Sequence, residues 1–97
     1  RKFFEGFGCI ECFEARIAIN KFNATRTPEK KIEIVSIQGS RFLKNWPMDF
    51  AYQQLAEDVW KDEDVIKIPF LVFDGIVVRK LDDAVGYYAM LEELDNN

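Results

Sequence analysis

Lys2-Phe3-Phe4-Glu5-Gly6-Phe7-Gly8-Cys9-Ile10-Glu11-Cys12 is the stretch on which the fold of this chain turns. Lys2 to Phe7 is short and aromatic, as a first strand would be. Ile10 to Phe22 then carries apolar residues at 10, 13 and 17 and, on a widened face, at 18 and 22, which is helical spacing. Gly6 and Gly8 allow a sharp turn between the two and leave Cys9 accessible. Cys9 and Cys12 are the only cysteines of the 97 residues, and they fall at this strand-to-helix junction. A C-x-x-C so placed reads as a dithiol redox site.

The junction suits that chemistry. The attacking species in disulfide exchange is the thiolate, and an ordinary cysteine, with a pKa of about 8.5, is mostly protonated at neutral pH. A helix N-terminus offers unpaired N–H groups and the positive end of a dipole, both of which favour an anion at Cys9. Cys12 lies one turn on, less exposed, and suited to resolve a mixed disulfide formed at Cys9. Glu11 lies between them and opposes the thiolate, so the effect on Cys9 is expected to be moderate. Two other readings of the residues stand beside this one: inert buried cysteines, and half of a metal site. A zinc site needs four ligands, and with no histidine in the chain a four-cysteine site would require two copies.

Composition narrows the class. One domain, 1–97, is expected at this length. The chain is 48% hydrophobic with nine Phe, enough for a small aromatic core. Its net charge of −4 argues against a nucleic-acid partner, which is bound by concentrated Lys and Arg. No apolar run approaches the ~20 residues of a spanning helix, so no membrane partner is expected. No signal-peptide pattern is present, and two cysteines at this spacing are not a secreted disulfide framework. A cytoplasmic monomer is therefore expected, although the chain opens on Arg1 rather than Met, as a trimmed or partial chain would.

Further along, residues 23–31, with Thr27-Pro28, read as a loop. Ile32, Ile34, Val35 and Ile37 make a β-branched second strand. Residues 38–49 read as a long loop, longer than the usual ~4 to 6 residues. Residues 50–61 read as a helix on apolar positions 51, 55, 56, 59 and 60. Ile66 to Phe73 is a strand interrupted by Pro69, followed by Asp74-Gly75, a favoured two-residue hairpin turn, and a return strand at 76–78. A last helix follows to about Leu94, with Asp82 or Asp83 as N-cap and apolar positions 84, 85, 88, 91 and 94. Trp46 with Pro47, and Trp60, read as core packing or loop anchors, with a partner-facing patch as the alternative, and of Tyr87 and Tyr88 one should pack while the other shows its hydroxyl to solvent. The predicted order is β-α-β-α-β-β-α: an α/β fold with a four-stranded mixed sheet, helices on both faces, and the first two strands parallel through a right-handed crossover.

That order, with Gly8-Cys9-Ile10-Glu11-Cys12 opening the first helix, Ile68-Pro69 opening the third strand and Arg79-Lys80-Leu81-Asp82-Asp83 before the last helix, resembles the thioredoxin superfamily and within it the glutaredoxins. The resemblance covers essentially the whole chain. It implies a thiol–disulfide oxidoreductase in which Cys9 is the nucleophile and Cys12 the resolving thiol. Pro69 would be a cis-proline beside the dithiol, leaving the backbone of Ile68 to pair with an incoming strand. Ile68, Pro69, Leu81, Asp82 and Asp83 would form the substrate or glutathione site. No metal and no tightly bound cofactor is implied. The partners would be protein or small-molecule disulfides, with glutathione or a thioredoxin-reductase-like protein as electron donor.

The chain departs from the family pattern in four places. Ile10-Glu11 stands for the usual Pro-Tyr, Arg79-Lys80 for paired glycines, and Lys67 for a common threonine. Glu5 lies where a basic residue is often found. Lys67, Arg79 and Lys80 could attract the carboxylates of glutathione, and the bulk of Arg79 and Lys80 could equally block its groove. The alternatives to an enzyme are a non-catalytic binding or redox-switch module on the same fold, and a [2Fe–2S] cluster bridged by two copies through Cys9 and glutathione.

Overall fold

The computed structural model describes residues 1–6, 9–37, 41–43, 65–67 and 69–96. Strand β1 (Lys2–Gly6) leads to helix α1 (Ile10–Asn23), a single 3-10 turn (Pro28–Lys30) and strand β2 (Glu33–Ile37). Short strands β3 (Arg41–Leu43) and β4 (Val65–Lys67) follow, then β5 (Phe70–Phe73), β6 (Ile76–Val78) and helix α2 (Ala84–Asp95). The main sheet has the order β2-β1-β5-β6. β1 and β2 are parallel, and the other two pairings are antiparallel. The chain is thus an α/β fold built on a four-stranded mixed sheet.

Period-two alternation sorts the strand residues onto two faces. Ile34, Phe3, Leu71 and Val78 lie in one row across all four strands. They meet Ala15, Ala18, Ile19 and Phe22 of α1 and Tyr87 and Leu91 of α2 in a single core, and the two helices also pack on each other. The small alanines allow the close approach. Phe3 meets Tyr87 edge-on with ring centroids 6.2 Å apart, and Phe22 meets Phe73 at 6.1 Å. Burial pushes the Tyr87 hydroxyl pKa upward. Tyr88 is half-buried and hydrogen-bonds Glu92, so the two tyrosines divide as their adjacent positions on a helix require. On the other face, Phe4 stacks on its cross-strand neighbour Phe70 with centroids 4.6 Å apart. Each wholly buried Phe or Leu contributes about 1.5–3 kcal/mol by leaving water.

Charged groups close the far end of the core. The Arg1 guanidinium lies 4.1 Å from the Phe73 ring and donates to Asp74, Asp95 and the Lys30 carbonyl. Arg26 lies 4.0 Å from the Phe22 ring and donates to Asp95 and Glu92. Asn23 exchanges two hydrogen bonds with the backbone of Ile32, at 2.8 and 2.9 Å, and so ties the end of α1 to the start of β2.

Several expectations are corrected. The strand read over 66–73 is two strands. Pro69 supplies no N–H to a ladder, and β4 pairs antiparallel with β3 in a separate two-stranded ribbon while β5 joins the main sheet. Residues 41–43 of the expected 38–49 loop are that partner strand. The described helices α1 and α2 share one face of the sheet; the helix expected over 50–61, with Trp46, Pro47 and Trp60, lies outside the described residues. Of the apolar positions expected on α1, Ala18 and Phe22 are buried, together with Cys12, Ala15 and Ile19, whereas the 10-13-17 stripe points outward. The hairpin turn is as expected, with Asp74 and Gly75 at φ of 49° and 85°. Among the described residues no helix is long and apolar enough to cross a membrane.

Candidate functional site

β1 ends at Gly6, and the chain enters α1 with Cys9 as the N-cap residue in extended conformation. A backbone hydrogen bond from Cys9 N–H to the Gly6 carbonyl closes the connection. The Cys9 sulfur takes the place that a serine or aspartate oxygen commonly takes at an N-cap: it accepts the Cys12 N–H at 3.1 Å. Cys9 and Cys12 are joined by a disulfide, with Cα atoms 5.3 Å apart, within the ordinary range for such a bond. The two sulfurs are inequivalent. Cys12 is part of the core, whereas Cys9 is half-buried at its edge. Glu11, in the first turn, has a carboxylate oxygen 3.8 Å from the Cys9 sulfur.

The sheet topology brings the other expected site residues to the same end. Phe70 is paired with Phe4, so Pro69 stands just beyond, beside the end of β1 that leads to Cys9. β6 runs parallel to β1 and delivers residues 79–83 to that end as well. Pro69 is half-buried, and Leu81, Asp82 and Asp83 are exposed. Ile68 lies outside the described residues.

The N-terminus of α2 is occupied by the chain's own carboxylates. Asp83 is the N-cap and accepts the Gly86 N–H at 2.8 Å. Asp82 accepts the Asp83 N–H, also at 2.8 Å. Glu14, reaching across from α1, accepts the Ala84 N–H at 2.8 Å. Three acids thus surround the helix end, and three of the N–H groups there are already satisfied. The Glu14 contact joins residues 70 apart in sequence, and nothing in the local pattern signals it.

On the β2 side of Cys9, away from Pro69, the sheet and α1 border an open cavity of about 620 Å3. Ile10 and Phe13 line it with the Cys9 sulfur-bearing residue, and Glu5, Arg16 and Ser36 supply its polar groups. Glu5 is 2% exposed and pairs with the half-exposed Arg16 guanidinium. Sequence reasoning noted Glu5 only as standing where a base is common. The available signal was parity: Glu5 shares the inward face with Phe3, and a carboxylate placed there requires a cation or hydrogen-bond donors. Among the described residues no group of three or more His, Cys, Asp or Glu is placed to hold a metal ion.

Comparison of the chain with protein-family models, with curated proteins and with solved structures finds no match in any of the three.

Proposed function

We propose that this chain is a thiol–disulfide oxidoreductase of thioredoxin-like fold, glutaredoxin-like in the order of its elements, with Cys9 and Cys12 as the reacting pair. The observation that carries the reading is the inequivalence of the two sulfurs at the start of α1. The Cys9 sulfur caps the helix and accepts the Cys12 N–H, while Cys12 is enclosed by the core. An N–H directed at sulfur and a helix N-terminus both stabilise a thiolate more than a thiol. In the reduced protein the Cys9 thiolate attacks one sulfur of a substrate disulfide. A mixed disulfide forms, and the first substrate thiolate leaves and takes up a proton. Cys12 then gives up its proton and attacks the Cys9 sulfur, which forms the intramolecular disulfide and releases the second substrate thiolate. The substrate has gained two electrons and two protons, and a dithiol donor restores the protein.

Two molecules of glutathione would serve as that donor as well as one protein dithiol: the carboxylates of Glu14, Asp82 and Asp83 at the N-terminus of α2 would attract the α-ammonium of a γ-glutamyl end and repel its α-carboxylate.

The test is a pair of single substitutions assayed against an insulin-type protein disulfide with a small dithiol as reductant. Cys12→Ser is expected to accumulate a covalent mixed disulfide at Cys9, visible by intact mass, and Cys9→Ser to be inactive. Full turnover by Cys9→Ser would overturn the assignment of roles. Absence of turnover by the native protein would leave a non-catalytic module on the same fold.

A further inference from the structure

Three exposed apolar residues on α1 stand out. Ile10 is 84% exposed, Phe13 63% and Ile17 44%. Their spacing of three and four residues puts them on one stripe of the helix. The helix does not need that stripe for its own packing, because Ala15, Ala18, Ile19 and Phe22 already join it to the sheet and to α2. The stripe begins at the residue after Cys9, and its first two members line the cavity on the β2 side of the dithiol.

The chemistry of the cavity restricts its occupant. Its volume, about 620 Å3, lies within the ~300–1,000 Å3 typical of sites for small ligands. Its apolar walls are Ile10 and Phe13. Among the described residues its charged groups are Glu5 and Arg16, which are paired with each other and so present no net charge to a ligand. A neutral apolar group fits such a lining, and an ion does not. Because Cys9 also lines the cavity, the group must lie within a residue or so of the sulfur that reacts there. The stripe continues to Ile17, beyond the cavity, which fits an extended chain better than a compact molecule.

We propose that the cavity and the Ile10-Phe13-Ile17 stripe form the substrate subsite of the dithiol, selecting disulfides in extended polypeptide whose residue next to the half-cystine is bulky, apolar and uncharged. The inference rests on the oxidoreductase reading and names its substrate class. It places recognition on the β2 side of Cys9, opposite Pro69 and residues 79–83.

The experiment compares two symmetrical peptide disulfides, the dimers of acetyl-Leu-Cys-Leu-amide and of acetyl-Gln-Cys-Gln-amide, which match in charge and size. The native protein is expected to favour the leucine peptide in kcat/KM by about tenfold, the scale on which an apolar pocket discriminates. Phe13→Gln and Ile10→Gln alter exposed positions, and each is expected to bring the ratio to within about twofold of unity, the loss expected when apolar contact is removed. Ile76→Gln, at a comparably exposed apolar residue on the edge strand β6, is expected to keep the native ratio. Equal turnover of both peptides by the native protein would overturn the subsite and leave the oxidoreductase reading intact. A ratio that survives both α1 substitutions would overturn it as well. Failure to cleave either peptide while an insulin-type disulfide is still reduced would overturn the subsite alone, and failure on all three would overturn both readings.

Discussion

Replacement of Arg16 by methionine gives the sharpest view of how the site is held. Glu5 is 2% exposed on β1, on the helix-covered face of the sheet, and Arg16 of α1 is its cationic partner. Removing one member of a buried pair leaves the other desolvated and uncompensated, which costs about 3–5 kcal/mol where both are fully enclosed. Here the Arg16 side chain is 49% exposed, so water already weakens the pair and can reach part of the space a smaller residue would vacate. Allowing about half for that screening leaves roughly 2 kcal/mol. For a domain of this size the loss corresponds to a fall in Tm of about 8–16 °C. The assay is urea unfolding of the oxidised protein, with the midpoint falling at constant m-value. Methionine keeps much of the length and apolar body of arginine, so the loss reports the charge rather than a cavity. Glu5→Gln in the same background removes the orphaned charge and is expected to recover at least half of the loss, which gives a coupling energy of at least about 1 kcal/mol, plus any cost of Glu5→Gln alone, in the double-mutant cycle. Arg16→Met within about 0.5 kcal/mol of the native protein, the range of ordinary surface substitutions, would refute the reasoning. So would strict additivity of the two changes.

Three further outcomes are expected. The Arg1 guanidinium holds the Asp74 carboxyl below its usual pKa; at Asp95 burial pushes upward, but hydrogen bonds from Arg1 and Arg26 outweigh it and the pKa is again lowered. A carboxyl lowered on folding adds stability that is present above its unfolded value, about 3.9, and is lost as pH falls through the folded value. Arg1→Gln should therefore be less stable than the native protein at pH 7 and converge with it toward pH 2; a constant difference across that range in urea melts would contradict the assignment. Phe22→Ala removes a ring with no exposed surface, packed edge-on to Phe73, and is expected to cost about 3–5 kcal/mol in the same melts; a loss below about 1 kcal/mol would mean that the core repacks. Gly75→Ala meets no neighbouring atom, but must adopt a φ of 85°, so a loss of about 1 kcal/mol, purely conformational in origin, is expected; an unchanged midpoint would show that the turn can shift.

What was legible in the sequence was what local rules determine. Asp74-Gly75 announces a turn because few other residues accept positive φ at both positions, and the register of β5 with β6 follows from it. Asp83 is recognisable as an N-cap from its short acceptor side chain ahead of an apolar pattern. The start of α1 was marked by the glycines and by the cysteine pair. The face of α1 was only partly legible: Ala18 and Phe22 were counted and are buried, but Ala15 weighs little in a hydrophobic pattern, while Ile10, Phe13 and Ile17 weigh much and lie outside. Size misled there: close packing of α1 on α2 and the sheet selects small residues, and the large ones were available for another surface. The split of the 66–73 strand followed from one missing N–H at Pro69, yet its pairing with residues 41–43 is a long-range choice that no local pattern encodes. The same holds for Glu5 with Arg16 and for Glu14 with the Ala84 N–H: each is a polar contact between elements, visible only once the strands and helices are in place. The dithiol could be located from sequence alone, but its buried ion pair and its apolar cavity could not.

The central claim is that Cys9 and Cys12 are an exchanging pair with unequal roles. It is tested most directly by mass spectrometry of the native protein after equilibration across a series of reduced-to-oxidised glutathione buffers. The account predicts a single two-electron transition from two thiols to the intramolecular Cys9–Cys12 disulfide, with any trapped glutathione adduct confined to Cys9. Two thiols that neither pair nor conjugate across the series, or adducts that form first on Cys12, would contradict it.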